Sequence, residues 1–182
     1  MNSSNMPAEA VLEFVQLLAD HNIVVILDGG WAVDALIGKQ TRPHEDLDIA
    51  VFHKDVPRIR VLLEERGFVE IPRDDSWECN FVYGNQVGHL IDIHSCTFDE
   101  QGENIFGVAY THEAFSGSGM IDGYPVRCVP PGLLMKYHTG YPLDNNDFHD
   151  VKQLSNKFGL KIPADYQKFL DNSPSNGNDK PK

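Results

Sequence analysis

Two aspartates, Asp46 and Asp48 in "EDLDIAVF", stand at the head of a run that otherwise alternates like a strand. Successive strand side chains point to opposite faces, so Asp46, Asp48 and Ala50 share one face while Leu47, Ile49 and Val51 share the other. Adjacent carboxylates repel each other, which raises a pKa and weakens the fold unless solvent or a cation relieves them. A divalent cation is the simplest relief, and Mg²⁺ in particular takes one or two carboxylates completed by water and substrate phosphates. The bland alternative is a face that is merely solvated. A third carboxylate, Asp92 in "GHLIDIHSC", lies in a run so apolar that burying it is costly unless it is paired or bound. If the two strands are neighbours, Asp46, Asp48 and Asp92 converge on one patch. Such a patch can hold one or two metals and leave Asp92 to take a proton from an attacking hydroxyl, as metal-assisted phosphoryl or nucleotidyl transfer requires. The alternative for Asp92 is a satisfied structural residue at a sheet edge.

Gly29-Gly30 follows an apolar run and precedes a helical pattern, so backbone N–H groups and a helix N-terminus can approach an anion there. A plain turn is the other reading. No Gly-Lys-Ser/Thr follows and no G-x-G-x-x-G is present, which excludes the Walker A and dinucleotide loops. Lys39 and Arg42, scarce positive charges just ahead of the Asp pair, could meet a triphosphate, as could Lys136 further on. Exposed basic residues need no such role. Trp31, Trp77, Tyr83, Tyr137 and Tyr141 could wall a pocket, although aromatics at such spacings also build cores. His138 and the pair His149-Asp150 suggest an HD phosphohydrolase, but the further His and Asp ligands that one needs are not evident. His138 reads as packing or pocket lining, and His149 as a surface or capping residue.

The elements that must position these groups are legible in outline. Val11, Phe14, Val15 and Leu18 recur at helical spacing after Pro7. "NIVVIL" reads as a buried strand broken by Gly29-Gly30, and "WAVDALIG" as a short helix stopping at Gly38. "DLDIAVF" is a second strand, and "DVPRIRVLLEERGF" a helix capped by Asp55 and ended by Gly67. "ECNFVYG", "GHLIDIHSC" and "YPVRCV" are further strands, with turns at Gly84-Asn85 and Asp122-Gly123. After Pro130-Pro131, "GLLMKYHTGY", "NDFHDVKQLSNKFG" and "ADYQKFL" are helical, and the polar tail from Asn172 is expected to be disordered. This order predicts an α+β chain with a small mixed β-sheet flanked by helices and a short helical C-terminal part; it is too irregular for a doubly wound fold.

A chain of 182 residues with 41% hydrophobic and 23% charged residues suits one compact core, or one plus a small helical unit. Fifteen basic against 27 acidic residues give a net charge of −12, a field that repels phosphate backbones and disfavours nucleic acid as the main partner. The same field attracts a cationic small molecule, although solvation alone accounts for many surface carboxylates. No apolar run approaches the ~20 residues that span a bilayer, and "MNSSNMPAEAV" lacks the pattern of a signal peptide. A cytoplasmic protein away from membranes is the expectation. Three widely spaced cysteines without a C-x-x-C pair argue for reduced, buried thiols.

The stretch "LDGGWAVDALIGKQTRPHEDLDIAV" resembles the signature of the small antibiotic nucleotidyltransferases, the lincosamide and aminoglycoside 2″-type enzymes of the DNA polymerase β-like superfamily. That signature is a Gly-Gly or Gly-Ser turn, a helix, an Asp-x-Asp strand and a carboxylate on a later strand. Gly29, Gly30, Asp46, Asp48 and Asp92 match it. "YPVRCVPPGLLMKYHTGYPLDNNDFHDVKQL" is similar to the family's C-terminal stretch, especially in the lincosamide enzymes, so the resemblance covers residues 8–158. It implies the DNA polymerase β-like nucleotidyltransferase fold, with a core over residues 1–129, a helical segment packed on it over 130–171 and a tail over 172–182. It also implies transfer of AMP from ATP, with Mg²⁺, onto an antibiotic hydroxyl, lincosamide-like ahead of aminoglycoside. Asp46 and Asp48 would bind metal, and Asp92 would be metal ligand, base or both. One departure is Gly30, where many superfamily members carry Ser and its contact to the terminal phosphates. Acceptance by a protein side chain, as in toxin–antitoxin nucleotidyltransferases, and a non-catalytic nucleotide-binding module are the alternatives. Monomer and homodimer both stay open.

Overall fold

The computed structural model describes residues 5–171; the tail from Asn172, expected to be disordered, lies outside the described residues. Helix α1 spans Ala8–Asp20 behind Pro7, which occupies the N-cap and not the first turn. It buries Val11, Phe14, Leu17 and Leu18, each contributing about 1.5–3 kcal/mol by leaving water. Only Val25–Leu27 of the first predicted strand pairs as β1. Helix α2, Gly29–Ile37, takes both glycines into its first turn and ends at Gly38. Apart from Asp34 it is apolar all round, with Gly30 to Ala35 buried, as a helix enclosed by other elements must be. Strand β2 is Leu47–Phe52, so Asp46 sits on the approach to the strand and not inside its ladder.

Helix α3, Val56–Glu64, follows Asp55, whose side chain makes no cap bond. Then come β3 (Val69–Ile71), β4 (Asn80–Gly84), β5 (Leu90–Phe98), β6 (Asn104–Gly107), β7 (Gly117–Ile121) and β8 (Tyr124–Cys128). Helices α4 (Pro131–Tyr137), α5 (Asn145–Phe158) and α6 (Gln167–Asp171) complete the described chain. The strands form one open mixed sheet in the order β3-β4-β5-β2-β1-β8-β7, with β6 pairing β5 beside that path. β2 runs parallel to β5 and β1 parallel to β8, while the remaining pairs are antiparallel. The chain is thus an α+β protein with six α-helices among the described residues.

Three strands escape the sequence pattern for physical reasons. β3 is a three-residue edge strand with Val69 exposed, and β6 is a short, largely exposed hairpin arm. In β7, "GSGMI", the missing side chain is what allows packing: a Cβ on Gly119 would lie 2.5 Å from the Ala35 carbonyl, so α2 rests directly on this strand. One continuous core joins α1, α2, α3 and the sheet to Leu134, Met135, Val151, Leu154 and Tyr166 of the C-terminal helices. All three cysteines are free and buried. Burial pushes the Cys96 and Cys128 thiols up to about 12, Cys79 adding to the first and Asp28 to the second, which leaves them inert. No described helix is long and apolar enough to cross a membrane.

Candidate active site

The parallel pairing of β2 with β5 places Asp48 directly opposite Asp92, with Ile49 opposite Ile93 and Ala50 opposite His94. Opposed residues in register project to the same face, so the two carboxylates stand side by side and Asp46 lies two residues ahead of Asp48. Both strands are otherwise apolar at their centres, and Leu47, Ile49, Ile91 and Ile93 bury the opposite face. Burial, followed by the charges of Asp46, Asp92 and Asp28, holds the Asp48 carboxyl well above the usual carboxylate range, and Arg42 offsets only part of this. Burial also raises Asp92; His94 and Arg73 pull it down, and Asp46 and Asp75 push it up. Oδ1 of Asp92 is buried without a hydrogen-bond partner among the described residues, His94 Nε2 lying 3.4 Å away. Such an orphaned anionic oxygen is costly and marks a place where a cation or proton fits.

Gly29 opens α2 with a positive φ of 55°, and its N–H donates to Oδ1 of the N-cap residue Asp28 at 2.9 Å. A Cβ on Gly29 would collide with the Asp48 carboxylate, so glycine is what brings the helix N-terminus against that aspartate. Gly30 is equally constrained: a Cβ there would lie 2.5 Å from Arg42 Nη2 and from His44 Nδ1. His44 cannot give way easily, because its Nε2 bonds Asp34 Oδ2 at 2.5 Å and its ring packs against Trp31 at 4.6 Å. Asp34 also holds the N–H and hydroxyl of Thr41, and thereby stitches the segment leading to Asp46 onto α2. The absent serine hydroxyl thus has a steric reason. Gly30→Ser is expected to lose about 1–3 kcal/mol of stability by overpacking, measured as a lower urea midpoint. An unchanged midpoint with tighter ATP binding would refute this account of Gly30.

A cavity of about 290 Å³ opens over this ground, lined by Asp28, Gly29, Gly30, Asp48 and His94 on one side. Arg42, Tyr137, His138, Tyr141, Asp147 and Asp150 line the other. Arg42 grips Asp150 with Nε at 2.9 Å and Nη2 at 2.6 Å, a two-pronged ion pair linking the segment before β2 to α5. Asp150 is buried, and burial alone would raise it; His138, whose Nε2 is 3.7 Å away, and Arg42 reverse this and hold it below its ordinary value. His138 is buried too, yet Asp150 and the Leu134 carbonyl keep its pKa raised. Tyr141 donates to Asp147 Oδ1 at 2.8 Å. A larger cavity of about 340 Å³, lined mainly by apolar residues such as Phe14, Leu17, Leu63 and Phe68, lies away from the carboxylates.

Of the residues expected from sequence, Asp48, Gly29, Gly30 and Arg42 line one cavity, with Asp92 and Asp46 adjoining through the strands. Lys39 is not brought there. It borders a small crevice with Trp31, Asp34, Met120 and Asp122. Lys136 is exposed on α4 and is not among the cavity's lining residues. Tyr137, Tyr141 and His138 line the cavity, whereas Trp31 and Tyr83 are core and Trp77 is exposed. His149 bonds Thr41 Oγ1 at 3.0 Å and Asp150 is taken by Arg42, so the pair does not form an HD metal site. Among the described residues, no group of three or more His, Cys, Asp or Glu side chains is arranged to hold a metal as it stands. Sequence reasoning missed Asp28, His94 and Tyr110, and it named Asp150 only as half of an HD pair and not as the anchor of Arg42. An Asp directly before a helical Gly-Gly is an N-cap signal that points to Asp28; the other three depend on tertiary contacts.

The profile of the aminoglycoside-2″-adenylyltransferase family matches residues 10–154. A lincosamide resistance protein of Staphylococcus haemolyticus is 28% identical over 163 residues, covering 85% of this chain and 98% of its own length. The crystal structure of the lincosamide antibiotic adenylyltransferase LnuA, lincomycin-bound, superposes with a TM-score of 0.73 at 22% identity, over 83% of this chain and 98% of that one. ANT(2″)-Ia in complex with adenylyl-2″-tobramycin gives 0.66 at 20% identity, over 84% and 89%. The structural neighbours share the fold, and the family match covers most of the chain. The chain therefore belongs to the aminoglycoside-2″-adenylyltransferase family and is a nucleotidyltransferase.

Proposed function

We propose that the chain transfers AMP from ATP to a hydroxyl of a small-molecule antibiotic in the cytoplasm, and so inactivates the drug. The observation that carries the reading is the in-register pairing of Asp48 with Asp92 beside the N-terminus of α2. The triphosphate lies against that N-terminus, whose dipole favours anions although Asp28 already caps the Gly29 N–H. Arg42, anchored by Asp150, adds positive charge at the cavity wall. Asp92, with its raised pKa, accepts the proton of the acceptor hydroxyl. The hydroxyl oxygen then bonds the α-phosphorus, the bond from that phosphorus to the β-phosphate bridging oxygen breaks, and pyrophosphate leaves.

Mg²⁺ fits the residues present: an all-oxygen set of Asp46, Asp48 and Asp92, a raised Asp48 and the orphaned Asp92 Oδ1. When bound, it neutralises triphosphate charge and polarises the reacting phosphoryl group. Among the described residues the protein groups do not close a site alone, so Asp46, Asp48 and Asp92 would hold the ion only together with oxygens from outside the protein. The cavity is of small-molecule size, and Tyr137 and Tyr141 offer flat walls for a base or sugar ring. A lincosamide acceptor is favoured over an aminoglycoside because the matched lincosamide resistance protein is covered almost end to end. The division into a core over 1–129 and a helical segment over 130–171 belongs to the same reading.

Pyrophosphate release from ATP and Mg²⁺ should be measured against lincosamide and aminoglycoside panels. Release with lincosamides is the expected result. Release with aminoglycosides alone would overturn the acceptor assignment, and release with neither would overturn the antibiotic reading.

A further inference from the structure

One chain of buried and half-buried polar contacts ties the two halves of the site together. Tyr110, 5% exposed in the segment after β6, donates its hydroxyl proton to Asp28 Oδ2 at 2.6 Å. The other oxygen of Asp28 caps α2 through the Gly29 N–H. The same Tyr110 hydroxyl lies 3.3 Å from His94 Nδ1, and His94 Nε2 faces Asp92 Oδ1 at 3.4 Å. Tyr110 is itself held in place, because Asn104 Nδ2 donates to the carbonyls of Val108 at 2.8 Å and of Tyr110 at 2.9 Å. A tyrosine hydroxyl carries one proton. Spent on the carboxylate of Asp28, it leaves the oxygen only the acceptor role toward His94, and the N–H in that contact must come from Nδ1. Burial, then Asp28, pushes Tyr110 well above its ordinary pKa, so the hydroxyl remains a donor.

We propose that Tyr110 is a positioning residue that fixes His94 with a proton on Nδ1 and its Nε2 edge toward Asp92, while tying the α2 N-terminus to β5 at one spacing. Its kinetic consequence rests on the nucleotidyl-transfer reading; the proton placement on His94 does not. Long-range ¹H–¹⁵N spectra of the full chain test the placement, His94 being assigned by the signal lost in His94→Gln. Wild-type protein is expected to show Nδ1 protonated. Tyr110→Phe is expected to release that preference and lower kcat about 10–100-fold, the range for residues that orient a ligand or base, with KM for ATP changed by less than about threefold. Where loss of the hydroxyl harms folding, Asp28→Asn serves instead. Its amide keeps an acceptor for the Gly29 N–H and donates to Tyr110, whose proton then turns to His94 and drives the ring proton to Nε2. A wild-type Nδ1 without a proton, an unmoved His94 proton in Asp28→Asn, or a Tyr110→Phe kcat within about twofold of wild type overturns the proposal. An inactive wild type would overturn the functional reading instead, and the His94 spectra would still decide this one.

Discussion

Asp48→Asn is expected to melt at a higher temperature than the wild type in metal-free buffer while losing at least about a hundredfold in transfer rate. Loss of a group that merely orients a metal ligand already costs about 10–100-fold, and Asp48 is a proposed ligand itself. The gain in stability has a separate cause. Asp48 is raised well above the ordinary carboxylate value of 3.8 by burial and by Asp46, Asp92 and Asp28. Below 3.8 the group is protonated in folded and unfolded chains alike and costs nothing. Between 3.8 and the raised folded value, the folded chain holds a proton that the unfolded chain has lost, so stability falls as pH rises; above the folded value the full penalty stands. Asn at this position carries no charge and escapes it. The difference in melting temperature, variant minus wild type, should thus be near zero below 3.8 and positive at neutral pH. Mg²⁺ should narrow it by stabilising only the wild type. A variant less stable than the wild type at neutral pH without metal would contradict this electrostatic account.

Asp150→Ala is expected to cost about 3–5 kcal/mol, the range for stripping one partner from a buried ion pair, read from urea unfolding. Its side chain is 1% exposed and answers both Arg42 and His138, so the alanine leaves two cationic groups facing an empty site. The pH dependence follows from both partners. Asp150 is lowered from 3.8, so its contribution is present above 3.8 and disappears as pH falls through its folded value. His138 is raised from 6.5, so its share is complete below 6.5 and is lost as pH rises through its own folded value. The stability gap between wild type and variant should be widest from 3.8 to 6.5. Activity should fall as well, because Arg42 would lose the anchor that holds it at the cavity. A gap below about 1 kcal/mol, the level of an exposed pair, would mean that Asp150 does not hold Arg42 in solution.

The candidate site was legible in the sequence where chemistry and local pattern coincide. Asp48 and Asp92 interrupt apolar strands, Asp46 stands just ahead of the first of them, and Gly29-Gly30 sits where a strand gives way to a helix; such anomalies are visible without a fold. Their convergence needed only the adjacency of β2 and β5, which the register supplies. Lys39 and Arg42 show the limit. Three residues apart on one segment, they face different surroundings, because Asp150, 108 residues beyond Arg42, reaches back to fix that side chain and nothing comparable among the described residues turns Lys39 inward. Tyr110 carried no signal at all, since its partners Asp28 and His94 come from other parts of the chain. The same holds for the fold. Strands with alternating branched residues were readable, while β7 was hidden by glycines whose purpose, contact with α2, exists only in the packed protein.

The most direct test follows the two ends of ATP. The full chain should be incubated with Mg²⁺, a lincosamide, and ATP labelled on either the α- or the γ-phosphorus. Label from the α-position is predicted to appear on the drug, and label from the γ-position in free pyrophosphate. Label from the γ-position on the drug would mean phosphoryl transfer, and would contradict the assignment of Asp46, Asp48, Asp92 and the α2 N-terminus as a nucleotidyl-transfer site.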